Sequence, residues 1–324
     1  MSKSLNSIGP EQIVKQRGAD ILRLWVASVD FMEDVRISEM ILDRLGEAYR
    51  KLRNTFRYML GNLSDFNPVI EGVPGAQLGG IEAWILLRAE DLVSRCVGWY
   101  EEYAFHKVYR AVYDFATTDL SALYFDVSKD RLYTAGPSSQ TRRGVQTALH
   151  RIHLALVRLL APILSFTCEE AWRHTTFGTQ EWESVHMAYF PKPGELSEAI
   201  TDEQRNEASG WDRLVPVRDQ VLKALDTARE DKLIGASLEA AVTLRVKGEL
   251  YSLLERFAGD LPTWFIVSQV ELQPGSSDTL EINVERAGGD KCERCWKYTL
   301  DVGSSEDFPT VCGSCAAVLR EFFS

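Results

Sequence analysis

The stretch ISEMILDRLGEAYRKLRNTFRYMLGNL, residues 37–63, decides the fold class. Its apolar residues Ile37, Ile41, Leu45, Ala48, Leu52, Phe56, Met59 and Leu63 recur at three- and four-residue steps. That is the period of one buried helix face. Ser38 or Arg36 stands near its start, and Gly61-Asn62 supplies a stop. Arg50, Arg53, Asn54 and Arg57 fall on the opposite side as a basic stripe. Such a face can track phosphates. Equally, it can be a solvated face stitched to Asp43 and Glu47 at helical spacing.

Working outward, the same texture repeats. Pro10 and Glu11 suit a first helical turn. After a Pro/Gly-rich break over 67–80, helical patterns run over 81–102 and 102–125. Gly136-Pro137-Ser138-Ser139 breaks the chain, and a helix follows over 140–160. Pro162 starts another that ends near Gly178. About the first 180 residues therefore predict an all-helical bundle with short connections. One more helix is expected over 203–231. The texture then changes: 240–246 and 265–272 are β-rich, and 279–284 alternates like a half-buried strand. The fold class is mainly α, with a helical bundle, then a small α+β segment, then a cysteine-rich module.

Length and charge narrow the function classes. The chain has 324 residues, about two domains' worth. It is 45% hydrophobic, enough for a core. Its richest apolar run, 154–166, is interrupted by Arg158 and Pro162, and no run reaches the ~18 residues of a membrane span. No basic-then-apolar leader opens it, so a cytoplasmic location is expected. With 36 basic and 47 acidic side chains the net charge is −11, so nucleic-acid binding must be local and shaped. No G-x-S-x-G, G-x-x-x-x-G-K-[ST] or G-x-G-x-x-G occurs, which removes the mechanical parts of serine hydrolases, P-loop enzymes and dinucleotide enzymes.

The most specific local signal is Cys292-Glu-Arg-Cys295 with Cys312-Gly-Ser-Cys315, two C-x-x-C knuckles sixteen residues apart. Each knuckle turns two thiolates toward one ion, and two knuckles complete a tetrahedral S4 shell that suits Zn²⁺. Such a shell is closed to water, so one structural Zn²⁺ is expected; the alternatives are four incidental cysteines or a redox pair. Cys96 and Cys168 lie alone in helical patterns and read as small core residues. Met1-Ser2-Lys3-Ser4 offers a lysine between hydroxyls, which suits phosphate oxygens. It equally suits a solvated tail. Arg142, Arg143, Arg151 and Arg158 form a second, looser basic set, with a solvated face as the default. His150 and His153 share a helix face, without a carboxylate that would make a metal site.

The chain resembles the C-terminal half of bacterial-type isoleucyl-tRNA synthetases, a class I aminoacyl-tRNA synthetase family. The likeness starts with a K-M-S-K-S-like loop at Met1-Ser2-Lys3-Ser4. It continues through Gly18-Ala-Asp-Ile-Leu-Arg-Leu-Trp-Val-Ala-Ser28, Asp34-Val-Arg-Ile-Ser38 and Ala48-Tyr-Arg-Lys-Leu-Arg-Asn-Thr-Phe-Arg57. Asp119-Leu-Ser-Ala122, Lys129-Asp-Arg-Leu-Tyr133, Leu160-Ala-Pro-Ile-Leu-Ser-Phe-Thr167 and Cys292-Glu-Arg-Cys-Trp296 follow in order.

The resemblance implies a division of labour. Residues 1–35 would be the loop and connecting helix. Residues 36–200 would form the helical anticodon-binding domain. Residues 201–288 would hold a helix and a small α+β segment, and 289–324 the zinc module. Lys3, with Ser2 and Ser4, would steady ATP phosphates during adenylation, with Mg²⁺, in a complete isoleucine-activating ligase. The bundle would bind the anticodon stem-loop of tRNA(Ile), which raises the standing of Arg50, Arg53 and Arg57. Trp296 would stack on tRNA or pack over the metal site. The family loop continues Leu-Gly-Asn where this chain reads Leu5-Asn6-Ser7, without the glycine that permits close backbone approach.

The family's H-x-G-H motif is absent, as are its nucleotide-binding half and editing insertion. The expectation is therefore a monomeric fragment, truncated product or split-enzyme part, without ligase activity alone. The alternative is a stand-alone tRNA-binding or zinc module.

Overall fold

The computed structural model describes residues 9–177 and 181–323. The chain groups into two compact units. One takes in the chain up to Phe125 together with Arg143–Arg205; the other takes in Asp126–Arg142 together with the chain from Asn206 on.

The first unit is helical. Helices α1 (Pro10–Arg17) and α2 (Ala19–Ser28) are separated by Gly18, whose φ of +93° ends one helix and starts the next. Helix α3 (Glu39–Asn62) is capped by Ser38, whose Oγ accepts from the Ile41 backbone N–H at 3.3 Å. Leu45, Ala48, Leu52, Phe56 and Met59 are buried as the periodicity marks them. In the first turn, however, Leu42 is buried where the pattern marks Ile41, which is only half-buried, as is Ile37 ahead of the helix. Helix α4 (Pro68–Glu71) is one turn capped by Asn67. Helix α5 (Gly80–Glu101) follows. Then α6 (Phe105–Asp114) runs into a π-helical segment, Phe115–Tyr124; the next helix, α7 (Phe125–Thr134), belongs to the second unit from Asp126 on. The helical pattern expected over 102–125 therefore starts later and continues nine residues further. Helix α8 (Gln140–Leu160) keeps its expected bounds and is buried on nearly every side. Helix α9 (Ser165–Arg173) is shorter than the 162–178 expected.

In the second unit, α10 (Asp202–Glu230) carries Pro216 in its interior and buries Trp211, Leu214 and Val221. Trp211 lies 4.6 Å from Phe257 and 4.9 Å from Trp264, ring centre to ring centre. Strand β1 (Ala240–Val246) is central. It pairs in parallel with β2 (Gln269–Pro274) and antiparallel with β3 (Glu281–Arg286). Alternate residues Ala240, Val242, Leu244 and Val246 are buried, as a sheet with one covered face requires. Helices α11 (Gly248–Arg256) and α12 (Leu261–Phe265) fill the crossover. The strand expected over 265–272 begins only at Gln269. Trp264 and Phe265 are fully buried on a short helix, and Ile266 turns the chain through the left-handed region at φ +59°. The last module is a hairpin, β4 (Asp290–Lys291) with β5 (Tyr298–Thr299), followed by α13 (Gly313–Phe323). No helix among the described residues is long and apolar enough to cross a membrane.

Candidate metal centre and basic helix face

The hairpin and α13 bring the two knuckles together. The four cysteine sulfurs all lie within 4.8 Å of one another. Four thiolates at about 2.3 Å from a tetrahedral zinc would be ~3.8 Å apart. Cys295 Sγ and Cys312 Sγ are already at 3.9 Å. The donor set and its spacing thus fit one Zn²⁺, held by Cys292, Cys295, Cys312 and Cys315 with no place for a substrate water.

Local backbone explains the geometry. Cys292 N–H donates to Lys297 O and Trp296 N–H to Cys292 O, which closes the first knuckle. The second knuckle opens α13, and the Cys312 N–H donates to Cys292 Sγ at 3.3 Å. Burial raises the Cys292 thiol, but N–H groups of Cys295, Cys312 and Arg294 outweigh it and bring its pKa down to about 6. Burial pushes Cys315 up to about 11. Arg294 Nη1 donates to Cys315 Sγ at 3.5 Å and to Thr134 O at 2.5 Å. Lys297 pairs with Asp130 at 2.5 Å. These contacts anchor the knuckle on the end of α7.

Trp296 is 61% exposed with a left-handed φ of +65°. Lys291 Nζ lies 5.4 Å from its ring centre. Trp296 borders an apolar cavity of about 360 Å³ together with Tyr133 and Ile266. Two of those three carry left-handed backbone, a strain that a non-glycine residue adopts only under constraint.

On α3, Arg50, Arg53 and Arg57 are exposed on one side. Arg53 is engaged: its two Nη atoms donate to the two carboxylate oxygens of Glu170 on α9, at 2.6 and 2.8 Å. These hydrogen bonds raise the Arg53 pKa and lower that of Glu170. Arg57 and Arg53 border a cavity of about 460 Å³ floored by Phe56 and Leu60.

The second basic set is not a solvated face. Arg143 is buried, donating to Glu71 at 2.5 Å, to Gln146 at 2.7 Å and to Asp65 O at 3.1 Å. Arg151 reaches the carbonyls of Leu196 and Glu198, and Arg158 pairs with Glu195. Arg142 donates to Leu132 O and Pro137 O. His153 is fully buried, donor or acceptor to Thr175 Oγ1 at 2.8 Å, and desolvation takes its pKa down to about 3. Cys96 and Cys168 are core residues, their thiols raised by burial. Ser2, Lys3 and Ser4 lie outside the described residues. Glu170, which sequence reasoning missed, is 117 residues from its partner and had no local signal.

Comparison with known proteins agrees with this arrangement. Residues 82–244 match the anticodon-binding domain of tRNA ligase. Residues 289–318 match a zinc finger found in FPG and IleRS, and residues 1–38 match tRNA synthetases class I (I, L, M and V). Isoleucine–tRNA ligases of Carboxydothermus hydrogenoformans, Thermotoga maritima and Geobacter sulfurreducens are 46%, 43% and 44% identical, each over 99% of this chain. The chain spans about a third of their length, 35% in each case. With the anticodon-binding match covering about half of it, the chain belongs to the anticodon-binding-domain family of tRNA ligases.

Proposed function

We propose that this chain is the tRNA-binding part of an isoleucine–tRNA ligase. One observation carries the reading: an anticodon-binding domain and a zinc finger lie on one chain whose relatives, aligned over 99% of it, are named isoleucine–tRNA ligase. The ligand is tRNA(Ile). Arg50 and Arg57 offer exposed guanidiniums to its phosphates, with Arg53 between them. Phosphate contacts of this kind position a nucleic acid without reading its bases. Trp296, exposed beside the metal knuckle, offers a face on which an unpaired base stacks. The Zn²⁺ is structural and shapes that knuckle.

In the complete ligase Lys3, with Ser2 and Ser4, holds ATP phosphates alongside Mg²⁺ while isoleucine is activated. Such stabilisation works only where a nucleotide is held against the lysine. The chain has no phosphate-cradling motif of its own. Alone it therefore binds tRNA and catalyses no isoleucine-dependent exchange between ATP and pyrophosphate.

The test is titration of the purified chain with a tRNA(Ile) transcript over a salt series. Arg57→Glu should weaken binding and lower the log–log salt slope by about 1. Binding and slope unchanged in a folded Arg57→Glu protein would remove this face from the reading. Robust exchange by the chain alone would place the adenylation site within it.

A further inference from the structure

Arg53 is the middle cation of its helix face, and it already holds an anion. The parallel fork onto Glu170, at 2.6 and 2.8 Å, is the geometry in which a guanidinium takes two oxygens of a phosphate. The Glu170 carboxylate thus stands where phosphate oxygens would sit. For Arg50 and Arg57 no carboxylate contact of this kind is found among the described residues.

The pair is not needed to hold α9 against α3. A buried network does that beneath it. Asp20 accepts from the Thr167 backbone N–H at 2.8 Å and from Thr167 Oγ1 at 2.6 Å. With its proton committed to Asp20, Thr167 Oγ1 accepts from Tyr49 Oη at 2.9 Å. Helices α2, α3 and α9 are tied there without Glu170.

Glu170 is also free to move. Its side chain is 50% exposed, and its carboxylate has no hydrogen-bond partner besides Arg53 among the described residues. The adjacent Glu169 differs: it accepts from Arg173, from Ser184 Oγ and from the Val185 N–H. Arg53 and Glu170 both border two cavities, one of about 460 Å³ shared with Arg57 and His174, the other of about 350 Å³ shared with Arg17 and Tyr49. The ion pair is a partition between two surface hollows, with room on either side for a displaced carboxylate.

We infer that Glu170 is an internal stand-in for a nucleic-acid phosphate: it holds the Arg53 fork extended and charge-compensated in the free protein, and a tRNA backbone phosphate displaces it. This rests on the reading of the α3 face as tRNA-binding. Glu170 is then a positioning residue that sets a threshold. A polyanion gains at Arg53 only if it places a phosphate well enough to replace both hydrogen bonds of the fork.

The experiment is a double-mutant cycle on the whole chain, with a tRNA(Ile) transcript as probe and thermal unfolding as the check on folding. Exposed ion pairs of this type correspond to about two- to fivefold in an equilibrium constant, so Glu170→Gln should tighten tRNA binding by that factor. Glu170→Asp keeps the charge but shortens the reach. It should tighten binding by a smaller factor, which a simple loss of negative charge cannot do. In an Arg53→Gln background both effects should vanish. Unchanged or weaker binding by folded Glu170→Gln overturns the inference. So does an equal gain with Arg53 absent, which is long-range electrostatics alone. Failure of the unsubstituted, folded chain to bind tRNA at all overturns the tRNA reading itself, a result distinct from the other two.

Discussion

Removing the metal should unfold residues 289–318 and leave the helical unit standing. Among the described residues, the buried cluster of this module contains three cysteines and only two other side chains, Val311 and Ala316. Val302, Phe308 and Leu319 pack on it while partly exposed. Complete burial of one valine and one alanine contributes roughly 2–4 kcal/mol. Ordering the backbone costs about 1–2 kcal/mol per residue, so that burial offsets only two or three residues. A structural Zn²⁺ contributes ~10–16 kcal/mol in comparable small modules, and it must dominate here. Cys312→Ser is the sharpest perturbation, because Cys312 supplies one sulfur and its N–H also supports the Cys292 sulfur at 3.3 Å. Serine retains the N–H but not a ligand that ionises. Elemental analysis should give one zinc per chain in the unsubstituted protein and loss of it in Cys312→Ser. Hydrogen exchange should show residues 289–318 deprotected by a chelator while α8 stays protected. Full protection of the module after chelation, or unchanged zinc in Cys312→Ser, would refute the reasoning.

Other outcomes follow from the helical unit. His153 has a pKa of about 3 when folded and about 6.5 when unfolded, so between those values the unfolded chain takes up the proton. Stability is therefore lost as pH falls from 6.5 toward 3, by roughly 4–5 kcal/mol at the acid end, and His153→Gln should flatten the urea midpoint over that range. An unaltered pH profile would mean another group carries the acid sensitivity. Arg143→Met leaves Glu71 without its cation. A cost of about 2–4 kcal/mol is expected in urea unfolding, below that of a fully buried pair because the Glu71 side chain is 29% exposed. A loss under about 1 kcal/mol would class the pair with ordinary surface ion pairs.

Legibility in the sequence followed the range of the determining interaction. Helix α8 keeps both expected ends, and Ser38 caps α3, because periodicity and caps are set within a few residues. The metal centre was legible for the same reason: each knuckle is a four-residue signal. The strand start at Gln269 was not. Phe265 and Ile266 have strand propensity, but burial of Trp264 and Phe265 fixes a helical turn there. The π-helical segment Phe115–Tyr124 carries no marker residue at all. The second basic set was misread because its partners are remote: Glu71 lies 72 positions from Arg143, and Glu195 lies 37 from Arg158. Arg53 is the same case at the candidate site. A charge pattern gives the face on which an arginine lies, and a distant carboxylate decides whether it is free.

The anchoring of the metal knuckle on α7 also sets an order of events in time. Arg294 and Lys297 meet Thr134 and Asp130 across 160 and 167 positions of chain. At about 5–20 residues per second of synthesis, the end of α7 waits roughly 8–30 s for these partners to be made. The knuckle that supplies them is held in shape by its ion. Without the knuckle, the carbonyl of Thr134 loses Arg294, and among the described residues the Asp130 carboxylate keeps only its local bond from Thr134 Oγ1. If the ion sets the shape of that knuckle, scarcity of zinc during synthesis should appear first as lowered yield of folded protein, which expression with and without added zinc would measure.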